Sequence, residues 1–327
     1  MFQPQNLPRP PKWFDHETAE IAVHAMKSDC EELLFDNVME LCAAAVRGSI
    51  IAPPGKKLVV ADLSNIEGRV LAWMAGEQWK IEAFRDFDRG IGADLYIITA
   101  AGIAGKSLDQ VTKDERQSLG KVPELALGYA GGEGAFIKMG AVYGVMLPST
   151  QVQEIIKAWR LKNRRIVSFW YDVERAARAA ILDPGAISPV RGVEFSCVDN
   201  WLRARLPSGR FLCYPNACVE ESTDRITYDG VDQYTRKWGR IETYSGKLVE
   251  NIVQAVARDV LADGLRKAER AGYENVLHIH DEIIAETPDT DAYSAEGLAK
   301  WMASGTSWSV GLPLAAAGFE THRYRKD

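Results

Sequence analysis

Cysteine is scarce in this 327-residue chain and is placed without pattern. Cys30, Cys42, Cys197, Cys213 and Cys218 are odd in number and include no CxxC. That excludes a disulfide framework and a thiolate zinc site, and reads as reduced cytoplasmic thiols. Long apolar runs are missing too. The longest, residues 91–105, is interrupted by Asp94 and falls short of the roughly 18 residues a membrane helix needs. The opening MFQPQNLPRPPKW has no apolar stretch behind a basic one, so it does not read as a secretory leader. No excess of positive charge advertises a nucleic-acid partner: Lys and Arg number 39 against 45 Asp and Glu, a net −6. A local basic stripe would still suffice for one. There are no internal repeats and no low-complexity segments. What remains is a soluble, cytoplasmic, globular chain, 46% hydrophobic and 26% charged, long enough for about two domains.

Along the chain, Pro4, Pro8, Pro10 and Pro11 force an extended entry. The apolar spacing from Asp15 to Arg47 predicts helix. KLVVAD (57–62) predicts a buried strand ending on a carboxylate, followed by a helix to Ala75 that Gly76 stops. Residues 78–183 are dominated by helical periodicity. Beyond Asp183-Pro-Gly185 the pattern turns to short β pieces: 201–220 reads as a hairpin turning at Pro207-Ser-Gly209, a long amphipathic helix covers about 246–271, and 276–286 is a second hairpin around His280-Asp281. The expected architecture is α+β: a β-rich platform assembled from both ends of the chain, with a helical insertion between.

Three segments carry chemistry. Asp62 at a strand end can hold a hard divalent cation at a sheet rim, where Mg²⁺ takes one or two carboxylates plus substrate phosphates. Ser64 and Glu67 just after it also fit a capping box. His278-Ile-His-Asp-Glu282 admits two readings. One is a transition-metal hydrolase site, which needs more ligands than His16, His24 and His322 supply. The other is a hairpin that sets Asp281, and with it Glu282, beside Asp62, so that two carboxylates bracket a pair of Mg²⁺ ions about 4 Å apart. In the third segment, Lys121, Leu125 and Tyr129 recur at i, i+4 and i+8 on one helix face. There a Lys, with Arg116 before it, can grip a polyphosphate and a Tyr can stack on a base. A snorkelling Lys beside a core Tyr fits the same spacing.

In order and type these segments resemble the polymerase motifs of family A DNA polymerases, the bacterial polymerase I class, and most closely its phage branch. Residues 62–67 stand at motif A, 121–129 at the fingers helix and 280–282 at motif C. Gln3-Pro-Gln-Asn-Leu-Pro8, with Asn6, resembles the element ahead of motif A, and 250–259 resembles the helix that lies along the primer–template minor groove. The resemblance implies a right-hand polymerase: palm in 1–77 and 191–327, an antiparallel sheet with helices, and helical fingers in 78–190. With 61 residues ahead of Asp62, it implies that thumb and exonuclease are absent, and a separate thumb or exonuclease polypeptide is an implied partner beside primer–template DNA and dNTPs. It implies that Asp62, Asp281 and the Leu63 carbonyl hold two Mg²⁺ (or Mn²⁺) and that Glu282 is an auxiliary carboxylate. Lys121 and Arg116 would hold the triphosphate, and Leu125 would pack under the incoming base. Glu67 would exclude a ribose 2′-hydroxyl while closing onto Tyr129. Gln254, His280, Asn6 and Arg69 would contact DNA.

The chain also departs from the family. Leu125 stands where an aromatic is usual, and Pro123 should kink the fingers helix. The family's arginine lies four residues before its lysine, a place held here by Gln117. Two other functions stay open: a DNA-binding module inactive without a thumb subunit, and the metal-dependent hydrolase. Basic residues in 157–178 and again at Arg203, Arg205, Arg210, Arg236, Lys237 and Arg240 suit salt-sensitive phosphate contacts.

Overall fold

The computed structural model describes residue 11, residues 13–233 and residues 235–324. Its chain divides into two compact units: residues 1–64, 260–304 and 315–327, and residues 65–259 and 305–314. The expected fingers segment, 78–190, lies wholly within the second.

The first unit is built on a four-stranded antiparallel sheet in the order β11-β1-β10-β9. Helices α1 (His16–Lys27) and α2 (Val38–Gly48) precede β1 (Lys56–Leu63). The single helix expected over 15–47 is therefore broken. Ser28 ends α1, Asp29 takes a positive φ of 50°, and Asn37 caps α2 by accepting the Glu40 N–H. Apolar spacing survives such a break, which is why the spacing alone did not reveal it. In β1 the residues Leu58, Val59, Val60 and Ala61 are all buried, so both faces of the strand are covered. Leu58 and Val60 pack with Ile279, Ile284 and Tyr324 into one apolar cluster. β9 (Glu274–Ile279) and β10 (Glu282–Pro288) form the second predicted hairpin, and β11 (Ala316–Thr321) closes the other side of β1.

The second unit begins with α3 (Ile66–Ala75), α4 (Gln78–Asp88) and α5 (Leu95–Ala104). Gly76, at φ 68°, ends α3 as expected. A continuous helical run follows: one turn of α6 (Lys113–Glu115), a π-helical turn Arg116–Lys121, and α7 (Val122–Leu127). Pro123 closely follows the π turn. It stands in the first turn of α7, where its missing N–H is tolerated. The predicted capping box at Thr112 and Glu115 is present. Gly120 lets the π turn lie against α5, because a Cβ there would sit 2.2 Å from the Tyr96 carbonyl oxygen. Gly120→Ala must therefore push the π turn and α5 apart. It should cost about 2 kcal/mol or more, read as a drop in urea midpoint with unchanged slope; an unchanged midpoint would contradict the packing.

Helices α8 (Glu133–Val142), α9 (Ser149–Lys162) and α10 (Arg164–Leu182) complete the helical part. Two antiparallel sheets follow, β2 (Ile187–Val190) to β5 (Phe211–Tyr214) and β6 (Cys218–Val219) to β8 (Trp238–Thr243). Of these, β3 is Val193–Val198, β4 Trp201–Arg205 and β7 Ile226–Val231. The 201–220 hairpin is realised as β4 and β5; its last residues leave it to pair with β7 as β6. The 26-residue helix α11 (Ser245–Arg270) matches the predicted long helix within a residue at each end, and α12 (Ala295–Met302) precedes β11. Among the described residues, no helix is long and apolar enough to cross a membrane.

Candidate active site

Side chains alternate across a strand, so Asp62 lies on the same face of β1 as Leu58 and Val60, at the strand's open end. Its register partner on β10 is Glu282. The hairpin between β9 and β10 has only two loop residues, since Ile279 pairs directly with Glu282. His280 turns that corner at φ 53°, a left-handed conformation histidine tolerates better than most residues. The turn carries Asp281 alongside β1, where the Leu63 N–H donates to the Asp281 carbonyl at 3.1 Å. The backbone thus locks Asp62, Leu63 and Asp281 together at the rim. Both aspartates are half-buried and His280 is exposed.

The donor set can be tested against a metal. Two adjacent carboxylates and a backbone carbonyl are hard oxygen ligands, which suit Mg²⁺ completed by water and substrate phosphate. Among the described residues, no group of three or more His, Cys, Asp or Glu converges as a metal cage would require. The zinc-hydrolase reading is left without its ligand set.

Glu282 departs from the expected auxiliary carboxylate. It is 3% exposed and accepts a hydrogen bond of 2.5 Å from the Tyr324 hydroxyl, which in turn accepts from Arg47 Nη1 at 3.2 Å. Burial and the neighbouring carboxylate push the Tyr324 phenol well above its ordinary pKa. It therefore remains a donor, and Glu282 acts as a buried strut behind the Asp62–Asp281 rim. No sequence motif announces Tyr324 or Arg47.

The remaining expected residues belong to the second unit. Tyr129 and Glu67 meet: the Tyr129 hydroxyl donates to Glu67 Oε2 at 3.0 Å. Burial, then the Glu67 charge, raises the phenol's pKa well above 10, so the proton stays on the tyrosine. The Tyr129 backbone is placed by α11, because a Cβ on Gly246 would lie 2.1 Å from the Tyr129 carbonyl oxygen. The capping-box reading of Ser64 is not realised. Asn65, at φ 49°, holds the N-cap position of α3, which leaves exposed Glu67 to Tyr129.

Lys121 ends the π turn, with its ammonium 4.4 Å from the Tyr143 ring centroid and no carboxylate partner among the described residues. Arg116 is restrained: its Nε donates to Asp94 at 2.7 Å and its guanidinium lies 5.2 Å from the Tyr96 ring centroid. Leu125 is exposed on α7. Gln254 is exposed on α11 and makes no hydrogen bond among the described residues. Arg69 corrects the expectation of a DNA contact. It is 2% exposed, forks onto both Asp88 oxygens at 2.6 and 2.7 Å, and sits 4.6 Å from the Phe84 ring centroid. Such a guanidinium ties α3 to α4 and offers no face to a ligand. Asn6 lies outside the described residues.

One residue inside the third segment was missed. Glu124 accepts from Lys80 Nζ (2.6 Å), Thr99 Oγ1 (2.8 Å) and Trp159 Nε1 (3.0 Å). This network pins α7 to α4, α5 and α9 from the side opposite Leu125. The only sequence signal was a carboxylate among apolar residues in KVPELAL.

Against known proteins, residues 38–181 match the family model for DNA polymerase family A. The DNA polymerase of Bacillus phage SP02 is 40% identical over this whole chain, which covers 50% of that protein. The DNA polymerase of Mycobacterium phage D29 is 26% identical over 79% of this chain and 33% of its own length. The chain thus spans half or less of these relatives. Among solved structures, the polymerase domain of Pol1 from M. smegmatis, in complex with DNA primer–template and dNTP, superposes with a TM-score of 0.58 at 16% identity, over 86% of this chain and 42% of that one. The α+β fold, mixing helices with antiparallel sheets, is similar to that of this Pol1 polymerase domain.

Proposed function

We propose that this chain, which matches the family A model over residues 38–181 and the phage SP02 DNA polymerase throughout, carries the palm and fingers of a template-directed DNA polymerase that joins dNTPs to a primer 3′ end. On this reading the palm is 1–77 with 191–327 and the fingers are 78–190. The observation that carries it is the pair Asp62 and Asp281, the first near the end of β1 and the second in the β9–β10 turn whose backbone is bonded to Leu63. Phosphoryl transfer asks a protein chiefly to position reactants and neutralise charge, and the residues divide along those lines.

Asp62, Asp281 and the Leu63 carbonyl would hold Mg²⁺, as two ions. Bound there, the metal polarises the phosphoryl group and offsets charge on the attacking and leaving oxygens. Lys121, without a carboxylate partner among the described residues, neutralises the triphosphate, assisted by Arg116, whose Nε is bonded to Asp94. Leu125 offers an apolar surface for the base where an aromatic would stack more strongly. Glu67, fixed by the Tyr129 hydroxyl, stands as the steric gate against a 2′-hydroxyl. His280 and Gln254, both exposed, are placed for the primer end and the minor groove.

The test is primer extension by the purified chain with Mg²⁺ and all four dNTPs, alone and with the amino-terminal half of the phage SP02 relative added. Template-dependent extension in either arm supports the reading. The second arm alone would favour a piece that works with a separate thumb. No incorporation in either arm overturns the proposal. In the active arm, Glu67→Ala should raise ribonucleotide use relative to deoxyribonucleotide roughly tenfold to a hundredfold, the range one discriminating contact supplies. An unchanged ratio of the two kcat/KM values would remove Glu67 from the gate.

A further inference from the structure

The basic residues between 157 and 178 do not form one uniform patch. Lys162 turns inward, donating to the Ile98 carbonyl at 2.9 Å beside the Trp79 ring. Arg175 pairs with Asp172 and Arg178 with Asp224. Lys157, Arg160 and Arg164 are different: among the described residues, none of them has an ion pair. These three line one open groove of about 450 Å³ with Gln153, Ile156 and Leu161. The lining has three cations and no anion. Gln153, at its edge, donates to Glu133 at 2.7 Å.

Arg160 shows that the groove is built. Its guanidinium donates to the Gly131 carbonyl at 3.0 Å and rests 5.9 Å from the Trp170 ring centroid. Its Nε is buried with no hydrogen-bond partner. An orphaned buried donor costs about 1–3 kcal/mol, so the guanidinium is held in place by its Gly131 and Trp170 contacts and not by that nitrogen.

We infer that this groove binds the phosphate backbone of a single DNA strand. The inference rests on the polymerase reading for the identity of that strand, the unpaired template. Lys157 and Arg160 stand on α9 and Arg164 opens α10, and Ile156 and Leu161 add apolar surface to the same lining. A duplex presents such a surface with phosphates while its bases stay stacked within. A single strand lays phosphates on the cations and base faces on the apolar floor. A volume of this size suits a nucleotide-sized segment.

The test uses the full chain and fluorescence anisotropy with a labelled single strand of mixed sequence, and separately with the blunt duplex, across a salt series. The Lys157→Gln/Arg164→Gln variant changes two exposed residues and keeps Arg160, whose carbonyl bond and Trp170 contact are structural. Arg89→Gln/Arg225→Gln removes equal charge from exposed ion-paired residues and is the control. Single-strand affinity should fall about tenfold or more in the groove variant. The slope of log K on log salt should shrink by about 1.4, near 0.7 for each phosphate no longer neutralised, and duplex affinity should hold within about twofold. An unchanged slope, a loss no greater than the control's, or an equal loss on duplex overturns the groove and leaves the polymerase reading intact. A native chain that binds neither DNA overturns the groove as well, while the polymerase reading stands or falls on the extension assay.

Discussion

Asp281→Asn, or Asp62→Asn, will reduce template-dependent nucleotide incorporation by on the order of a thousandfold while leaving the fold in place. The amide keeps the size and the hydrogen-bonding capacity of the carboxylate and removes only its charge. The rim is held by the β1–β10 ladder and by the Leu63 N–H bond to the Asp281 carbonyl, both of which are backbone features. With that backbone scaffold intact, the melting temperature should fall by only a few degrees. Single-turnover extension read against circular-dichroism melting separates the two effects. Activity within tenfold of the native chain, in either variant, would remove that aspartate from the metal site.

The second large effect is on stability. Lys80→Met should destabilise the second unit by about 3–5 kcal/mol, the cost of leaving a buried charge without its counterion. Lys80 and Glu124 are nearly sealed from solvent, their side chains 3% and 8% exposed, and they pair at 2.6 Å. With the ammonium gone, Glu124 keeps two neutral donors, Thr99 and Trp159, which do not balance a full charge. Replacing both partners, Lys80→Met with Glu124→Leu, should restore much of the loss, because well-packed apolar pairs often match buried ion pairs. Urea unfolding of the native chain, the single and the double variant checks this. If the double is no better than the single, the network owes its stability to the carboxylate's neutral bonds instead.

The chemistry-bearing strands were readable in the residues because their patterns are local. KLVVAD is a buried strand with a carboxylate at its end, and VLHIHDEIIAE is two apolar runs around a polar corner. Strand and hairpin follow from such patterns without tertiary information. What escaped depends on partners remote in the chain. Arg69 looks like any other basic residue after motif A until Asp88 and Phe84 enclose it. Glu282 adjoins Asp281 in sequence, yet Tyr324, 42 residues on, holds it in the interior. The break between α1 and α2 was hidden because apolar residues on both sides keep a helical rhythm. Glu124 was hidden because the eye follows the face that meets a substrate, and this residue secures the opposite one.

The π-helical turn Arg116–Lys121 changes how residues are to be matched between this chain and its relatives. Hydrogen bonds there close over five residues instead of four, so a residue five places back stands about where a residue four places back stands in an α-helix. Arg116, five before Lys121, therefore occupies the angular position that the family's arginine reaches in four. An alignment that counts positions assigns the arginine's place to Gln117. One that counts helical angle returns it to Arg116.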